Sequence, residues 1–467
     1  NVVSNKQIVY GTIPPGRLGL TVQEEAAYQF VSGTVHGFDQ VFDPSSVPSR
    51  FRDGAGFDPV WAWPLYAAQQ AWRDARSPRV KKGRAGVFVA NLSYPSHAHA
   101  EYAAMHWAGQ GSANAFGPFN ASLPPRLIAE TLGLSGPAFS LDAACASSLY
   151  ALEIACRRLR ARQIDCALVA AVNAADNLIL HIGFDALKAL SPTGRSRPFI
   201  KGADGLVPSE GAAALVLKRL SDVKKGDTIH GVIRGVGLSN DGRRKGLLAP
   251  SGAGQTEAMH RAYDMAGFDP ASISYLECHA TGTPTGDGVE VSASADVFGK
   301  QDGLPVGSLK ANTGHLITAA GMASVLKLTQ AFRHETLPAT PIGGDIINSF
   351  SDGKLRVLAE NENWHRGDVP RRAGISNFGF GGNNAHLILE QFEEVSGLVP
   401  VQLPEPSVDE VVICGAGLMA GRDRGVEVVL RRIMNQPVRP VAPCSDVGAD
   451  PLMARTPPSD LTEAEAQ

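Results

Sequence analysis

One cysteine and two histidines, each in a run of small residues, are the side chains of this sequence best suited to covalent chemistry. Cys145 lies in Ser140-Leu141-Asp142-Ala143-Ala144-Cys145-Ala146-Ser147-Ser148-Leu149. Behind it, Leu149, Leu152, Cys156 and Leu159 fall at spacings of 3, 4 and 3, which is one face of a helix. Arg157, Arg158, Arg160 and Arg162 gather at its end, where cations suit the negative pole of the dipole. Cys145 is thus expected at or just before a helix N-terminus, where free N–H groups favour a thiolate. A free cysteine is as readily a small buried core residue, so its partners decide. His279 stands in Glu277-Cys278-His279-Ala280-Thr281-Gly282-Thr283, and His315 closes Lys310-Ala311-Asn312-Thr313-Gly314-His315. A lone loop histidine is usually a solvated or hydrogen-bonded surface residue. One Cys at a helix start and two His, all just past expected strands, instead match nucleophilic catalysis.

The glycine-dense stretch Ser376-Asn377-Phe378-Gly379-Phe380-Gly381-Gly382-Asn383-Asn384 lets backbone N–H groups approach a substrate. Taken alone it would be only a turn. Two histidines are more than thiol activation requires, so further donors would serve an oxyanion or an enolate on another substrate. That combination points to acyl transfer joined to carbon–carbon bond formation. Asn91–Tyr94 with His97 and His99 is a fourth polar segment after a strand.

Alternating strands and helices must position these groups. The pattern predicts a helix over Asp58–Ala75, a strand at Val87–Ala90, helices over Ala98–Ala108 and Pro124–Leu132, and a strand at Ala138–Leu141 leading into Cys145. Cys166–Val172 is a continuous apolar run, the mark of a strand covered on both faces, and Ala212–Leu217 is another. The loop 191–208, with Arg195, Arg197 and Asp204, and Glu210 beyond, reads as braced by ion pairs rather than catalytic. The second half repeats the rhythm, with strands at Ile229–Leu238, Ile273–Glu277 and Leu304–Ser308 alternating with helices at Gly254–Ala266, Gly288–Phe298 and Ala319–Phe332. Arg372–Ser376 and Ala385–Gln391 pair as a hairpin. Two α/β halves in succession imply a layered, pseudo-duplicated architecture.

The chain has 467 residues and a formal charge of −3, which gives no reason to invoke nucleic acid or an anionic membrane. Its six cysteines show no C-x-x-C pair and no zinc-ligand spacing, so free thiols in a reducing cytosol are expected. No apolar run approaches the ~18 residues of a membrane span. The sequence reads as a soluble cytoplasmic protein with no metal.

The segments Asp142–Ser148, Glu277–Thr283, Lys310–His315 and Asn377–Asn384, in that order, resemble the motifs of β-ketoacyl synthases, condensing enzymes of fatty acid and polyketide assembly. The resemblance covers roughly residues 30–391. Asn91–Pro95, Leu190–Pro198 and Val236–Pro250 are most similar to ketosynthase domains of iterative polyketide and polyunsaturated fatty acid synthases. It implies an α/β thiolase-like five-layer αβαβα sandwich of two pseudo-duplicated halves. It also implies an acyltransferase performing decarboxylative Claisen condensation, with a carrier-bound acyl chain and a malonyl-carrier extender. Cys145 would take the acyl chain as a thioester, and His279 and His315 would promote decarboxylation and hold the enolate. Lys310 would support the His315 region electrostatically. The N–H groups of Cys145 and Phe380 would form the oxyanion hole. Thr281 and Thr283 would bind the phosphopantetheine arm, and Phe378 and Phe380 would line the acyl pocket beside Gly379, Gly381 and Asn383. Asn383 stands where a Thr is common in the family. No cofactor is implied, because the substrates ride on the phosphopantetheine of acyl carrier protein, the expected partner. A homodimer, or a heterodimer with a ketosynthase-like subunit, is implied as well. Two other readings remain beside it: a non-catalytic chain-length-factor-like partner, which typically lacks the nucleophile, and a non-decarboxylating thiolase.

The organisation expected is an N-terminal half over 1–225 carrying the nucleophile, a C-terminal half over 226–391 carrying both histidines, and a linker over 392–410. Residues 411–467 follow, with Val411–Gly417 and Gly425–Asn435 resembling the strand, glycine turn and helix that open family members. Residues 1–15 lack that pattern, so the first sheet is expected to miss its middle strand. Residues 411–467 would supply it or would begin a second domain, and the first is favoured because 57 residues are marginal for a separate core.

Overall fold

In the computed structural model of the chain, the apolar run Cys166–Asn173 forms a strand buried along its whole length, flanked on one side by the equally buried Ala85–Asn91. The structure describes residues 3–393 apart from 4, 19, 28–29, 50–56, 77, 79, 110–120, 243–248, 301 and 368, and beyond them only 414–415, 419–420 and 423–424. These fall into two units, Asn1–Ala103 with Ser112–Val401, and Ala104–Gly111 with Gln402–Gln467.

The first unit holds two mixed sheets. Strands β1 (Ala85–Asn91), β2 (Ala138–Leu141), β3 (Cys166–Asn173) and β4 (Gly211–Leu217) form one, in the order β2-β1-β3-β4. The first three are parallel and β4 is antiparallel to β3, with Ala167 opposite Leu217 and Asn173 opposite Gly211. The second sheet contains β5 (Val232–Asn240), β6 (Tyr275–Glu277), β7 (Leu304–Gly307), β8 (Leu355–Val357), β9 (Arg372–Phe378) and β10 (Asn383–Glu390), ordered β8-β7-β6-β9-β10-β5. Here β8, β7, β6 and β9 run parallel, while β9 pairs with β10, and β10 with β5, in antiparallel fashion. The order β2-β1-β3-β4 therefore recurs as β7-β6-β9-β10.

The recurrence corrects one expectation. β1 and β3 pair directly from Ala85–Cys166 to Asn91–Val172, so the first sheet has no vacant middle position. Among the described residues, the strand that the second sheet has and the first lacks is β5, on the outer side of β10. The expected 411–413 strand segment and the 426–434 helix lie outside the described residues. In the second unit the described Met419–Ala420 and Asp423–Arg424 pair antiparallel, and Cys414 is exposed.

Eight of the described helices position the rest: α1 (Pro59–Asp74), α2 (His97–Trp107), α3 (Leu123–Thr131), α4 (Ser147–Arg160), α5 (Asn177–Ala186), α6 (Gly252–Ala266), α7 (Pro284–Phe298) and α8 (Ala320–His334). The core clusters give their stacking. Leu149, Leu152 and Leu159 of α4 share one cluster with Met322, Val325 and Leu328 of α8 and with residues of β1, β3, β9 and β10. Trp61 and Leu65 of α1 and Leu127 of α3 pack on Val87, Leu168 and Ala214, on the opposite face of the first sheet. Met259 and Tyr263 of α6 and Val291 and Phe298 of α7 pack on Leu276, Val306 and Ile388. The layers thus run helix, sheet, helix, sheet, helix. β2, β6, β7 and β9 all deliver their C-terminal ends, and the residues after them, to one region, where open α/β sheets place function.

Candidate active site

The chain turns abruptly between β2 and α4. Ala144 adopts φ +52, a left-handed conformation uncommon for a residue with a Cβ. Asp142 and Ser147 hold it there. Asp142 Oδ1 accepts the Ala144 N–H at 2.8 Å and its Oδ2 accepts Ser93 N–H at 2.8 Å. Ser147 Oγ accepts Ala143 N–H at 2.8 Å and donates to Ala144 O at 2.6 Å. The elbow leaves Cys145 two residues ahead of the first helical residue, only 2% exposed.

Two further loops close on the thiol. His315 Nε2 lies 3.0 Å from Cys145 Sγ. The His279 and His315 rings stand 5.3 Å apart at a steep angle, and one side-chain ligand atom from each of Cys145, His279 and His315 falls within 4.8 Å of the others. The β9–β10 turn supplies the fourth wall, with the backbone N–H of Phe380 and that of Cys145 itself directed at the sulfur. Asn377 Nδ2 donates to Cys145 O at 3.1 Å, fastening the turn to the elbow. Gly379 is required there, because a Cβ would stand 2.8 Å from Ala143 O.

Charge in this region is governed by burial. Desolvation pushes the Cys145 thiol up to about 11, even though the Phe380 N–H and the Lys310 cation favour its thiolate. The expected depression by the helix start is therefore outweighed in the substrate-free pocket, since removal from water penalises an anion more than one turn of N–H groups repays. Burial, and then the charge of Lys310, hold both imidazoles well below their ordinary range, so His279 and His315 are neutral. Burial also lowers Lys310, while the carboxylates of Glu277 and Glu290 hold it back up.

A cavity of about 230 Å³ opens onto these groups. Cys145, His279, His315, Thr281, Thr283, Phe378, Gly379 and Phe380 line it. Three expected site residues stand outside the lining. Lys310 is buried behind it, with Nζ 3.5 Å from Cys278 O; Gly381 shapes the turn at φ +91; and Asn383 accepts Asn240 Nδ2 at 2.9 Å. In the loop before β4, Arg197 pairs with Asp204 at 3.3 Å as expected, whereas Glu210 pairs with Arg17 at 2.5 Å.

Several lining residues escaped the sequence reading, among them two acids of α7. Asp287 and Glu290 sit three apart on α7 and face the His279 loop. Glu290 accepts the N–H groups of His279 at 2.6 Å and Ala280 at 2.7 Å. Asp287 accepts those of Thr281 at 3.1 Å, Gly282 at 3.2 Å and Phe199 at 2.8 Å. Desolvation raises Glu290 to about 8 and Asp287 to about 6. Their signal was two acids one turn apart in a helix whose first half is otherwise small and apolar.

The sequence matches the models for the β-ketoacyl synthase N-terminal domain over residues 10–223, its C-terminal domain over 230–342 and the ketoacyl-synthetase C-terminal extension over 345–434. Among solved structures, the ketosynthase from module 6 of the bacillaene synthase of Bacillus subtilis 168 aligns with a TM-score of 0.73 and 32% identity, over 84% of this chain and 68% of that one. The chain belongs to the β-ketoacyl synthase family. Its fold is accordingly thiolase-like. This β-ketoacyl synthase is also similar to the PfaC keto synthase–chain length factor, with a TM-score of 0.76 and 32% identity over 84% of this chain and 46% of that one. A phenolphthiocerol/phthiocerol polyketide synthase of Mycobacterium tuberculosis is 37% identical over 371 residues, 77% of this chain and 19% of the relative. Polyketide synthase ThaG of Burkholderia thailandensis is 36% identical over 413 residues, 82% of this chain and 7% of the relative. The chain thus spans less than a fifth of the length of these two relatives. No described helix is long and apolar enough to cross a membrane.

Proposed function

We propose that this chain catalyses decarboxylative Claisen condensation in polyketide or fatty acid assembly, joining a carrier-bound acyl chain to a malonyl-carrier extender. The observation that carries the reading is the convergence of Cys145 Sγ, His315 Nε2, His279 and the Phe380 N–H on one buried cavity. Cys145 attacks the acyl thioester carbonyl, its proton passes by way of the 3.0 Å contact to His315, and the carrier thiol leaves with a proton. The N–H groups of Cys145 and Phe380 receive the oxyanion. Malonyl-carrier then loses CO2. The neutral imidazoles of His279 and His315 donate N–H to the enolate oxygen, and the enolate carbon attacks the acyl carbonyl and expels the Cys145 thiolate, which takes up a proton from solvent. Lys310 stabilises the charge that builds beside His315. Thr281 and Thr283 bind the pantetheine arm, and Phe378 and Phe380 line the acyl channel. The reaction draws on no bound cofactor. Acyl carrier protein is the partner, and a dimer of ketosynthase-like subunits is the working assembly.

The test is intact-mass measurement after offering acyl-carrier, with CO2 release from labelled malonyl-carrier measured in parallel. Wild type gains the acyl mass and releases CO2, and Cys145→Ala gains none. Acyl loading by Cys145→Ala would overturn the assignment. Loading without CO2 release would favour a thiolase.

A further inference from the structure

The last residue of β6, Glu277, is completely buried, yet it touches nothing in the cavity. Its Oε2 receives Lys327 Nζ at 2.5 Å and the Tyr275 hydroxyl at 3.2 Å, and Lys327 Nζ also donates to the Tyr275 oxygen at 3.0 Å. Its Oε1 accepts the backbone N–H of Leu309 at 2.6 Å. Leu309 immediately precedes Lys310, and Glu277 lies two residues before His279. Lys327 comes from α8, in the central helical layer, and is 7% exposed. One carboxylate therefore joins the strand end that carries His279 to the turn that carries Lys310 and leads to His315, and one lysine from the core fixes that carboxylate.

Neighbouring bonds link the same two segments. Cys278 N–H donates to Gly307 O at 2.8 Å, and Ser308 Oγ donates to Ala280 O at 2.8 Å. A buried Lys–Glu pair is a poor way to stabilise a core, since well-packed apolar residues of the same volume often do as well or better. Its distinctive product here is the fixed register of two catalytic loops. From this geometry we infer that Lys327, acting through Glu277, is a positioning residue for the extender half of the reaction.

The inference rests on the condensing reading, and it separates the two partial reactions. Acyl loading rests mainly on the Cys145 elbow and the β9–β10 turn, which the clamp does not touch, and of the clamped groups it uses only the His315 contact and the Lys310 charge. Decarboxylation depends on His279, His315 and Lys310, which it registers. The Lys327→Met/Glu277→Gln double variant keeps an acceptor near Leu309 and removes both charges of the pair together, so it folds where Lys327→Met alone risks failing. Measured on the full chain, its acyl loading by intact mass still runs to completion. Its kcat for CO2 release from malonyl-carrier falls on the order of ten- to a hundredfold, as misplacement of catalytic groups by a fraction of an ångström does, while KM changes little. The alkaline limb of the decarboxylation profile moves to lower pH, because loss of the Glu277 charge makes the Lys310 ammonium easier to deprotonate. Wild-type CO2 release in the double variant would overturn the inference, as would loading and decarboxylation falling together with Tm. If wild type itself releases no CO2, the condensing reading fails. Amide exchange at Leu309 then decides the clamp separately: faster exchange in the double variant supports it, and unchanged exchange overturns it.

Discussion

At Cys145 the competition is between the N–H groups aimed at the sulfur and the loss of water around it. Water loss wins in the empty pocket, and the thiol is raised to about 11. His315 at 3.0 Å is itself kept neutral, so the resting pair is thiol and imidazole rather than thiolate and imidazolium. Alkylation of Cys145 by iodoacetamide should accordingly rise about tenfold per pH unit from 7 to 9, because only the thiolate reacts. Mass spectrometry of the Cys145 peptide reads this directly, and a rate already level at pH 7 would show an ion pair instead. The residues of this chemistry were legible because each follows a strand end and stands among small residues. Their charge states were not. Spacing reveals a helix start, but the burial that overrides it depends on loops some 130 and 170 residues away, at His279 and His315.

At the scale of elements, most strands and helices around the site carry a local signature. The fully apolar Cys166–Val172 run is the buried β3, and the 3-4-3 spacing behind Cys145 is α4. Helix α5 was missed, although Asp176 caps it by accepting Ile179 N–H at 3.0 Å, because Asn177–Ala186 is apolar nearly throughout and shows little periodicity. Strand β8, three residues long, is fixed by pairing with β7 rather than by its own composition. Glycine on β5 shows how tightly elements are fitted. A Cβ on Gly237 would stand 2.0 Å from Ala258 O and 2.4 Å from Ala262 N of α6, both backbone atoms that cannot rotate away. Gly237→Ala should therefore cost about 1–3 kcal/mol or more through overpacking. Gly343→Ala, with no atom within 4 Å of the new Cβ, should stay within about 0.5 kcal/mol of wild type. Urea denaturation of both variants checks the pair, and equal stabilities would refute the close helix–strand approach.

For the molecule as a whole, the site taxes stability in a way that depends on pH. Folding raises Glu290 from 4.5 to about 8 and Asp287 from 3.8 to about 6 by burial. A carboxyl raised in the fold binds its proton more tightly folded than unfolded. Its stabilising contribution is complete below the unfolded value and is lost as pH climbs through the folded one. Tm should thus decline from about pH 5 toward pH 8 through these two groups, and Glu290→Gln should flatten the upper part of that decline. Calorimetry of wild type and variant across this range reads the difference, and an unchanged slope in Glu290→Gln would remove Glu290 as its source. The shifts were not visible in the sequence, because the burial that causes them comes from the His279 loop folded over Asp287 and Glu290. From the residues alone the layer order was legible only as two α/β halves; the five-layer order came with the family resemblance. The direct β1–β3 pairing was not legible, because neither strand's residues specify which neighbour it takes.

That pairing moves the difference between the two sheets to an edge. β10 is laddered along its outer side by β5, whereas among the described residues nothing ladders the outer side of β4. Natural edge strands are commonly guarded by lysine, proline or a bulge. Gly211-Ala212-Ala213-Ala214-Leu215-Val216-Leu217 has none of these, with charge only at its flanks, Glu210 and Lys218. Wherever that side stands open, it is a template for any extended chain, including one from a half-folded neighbour.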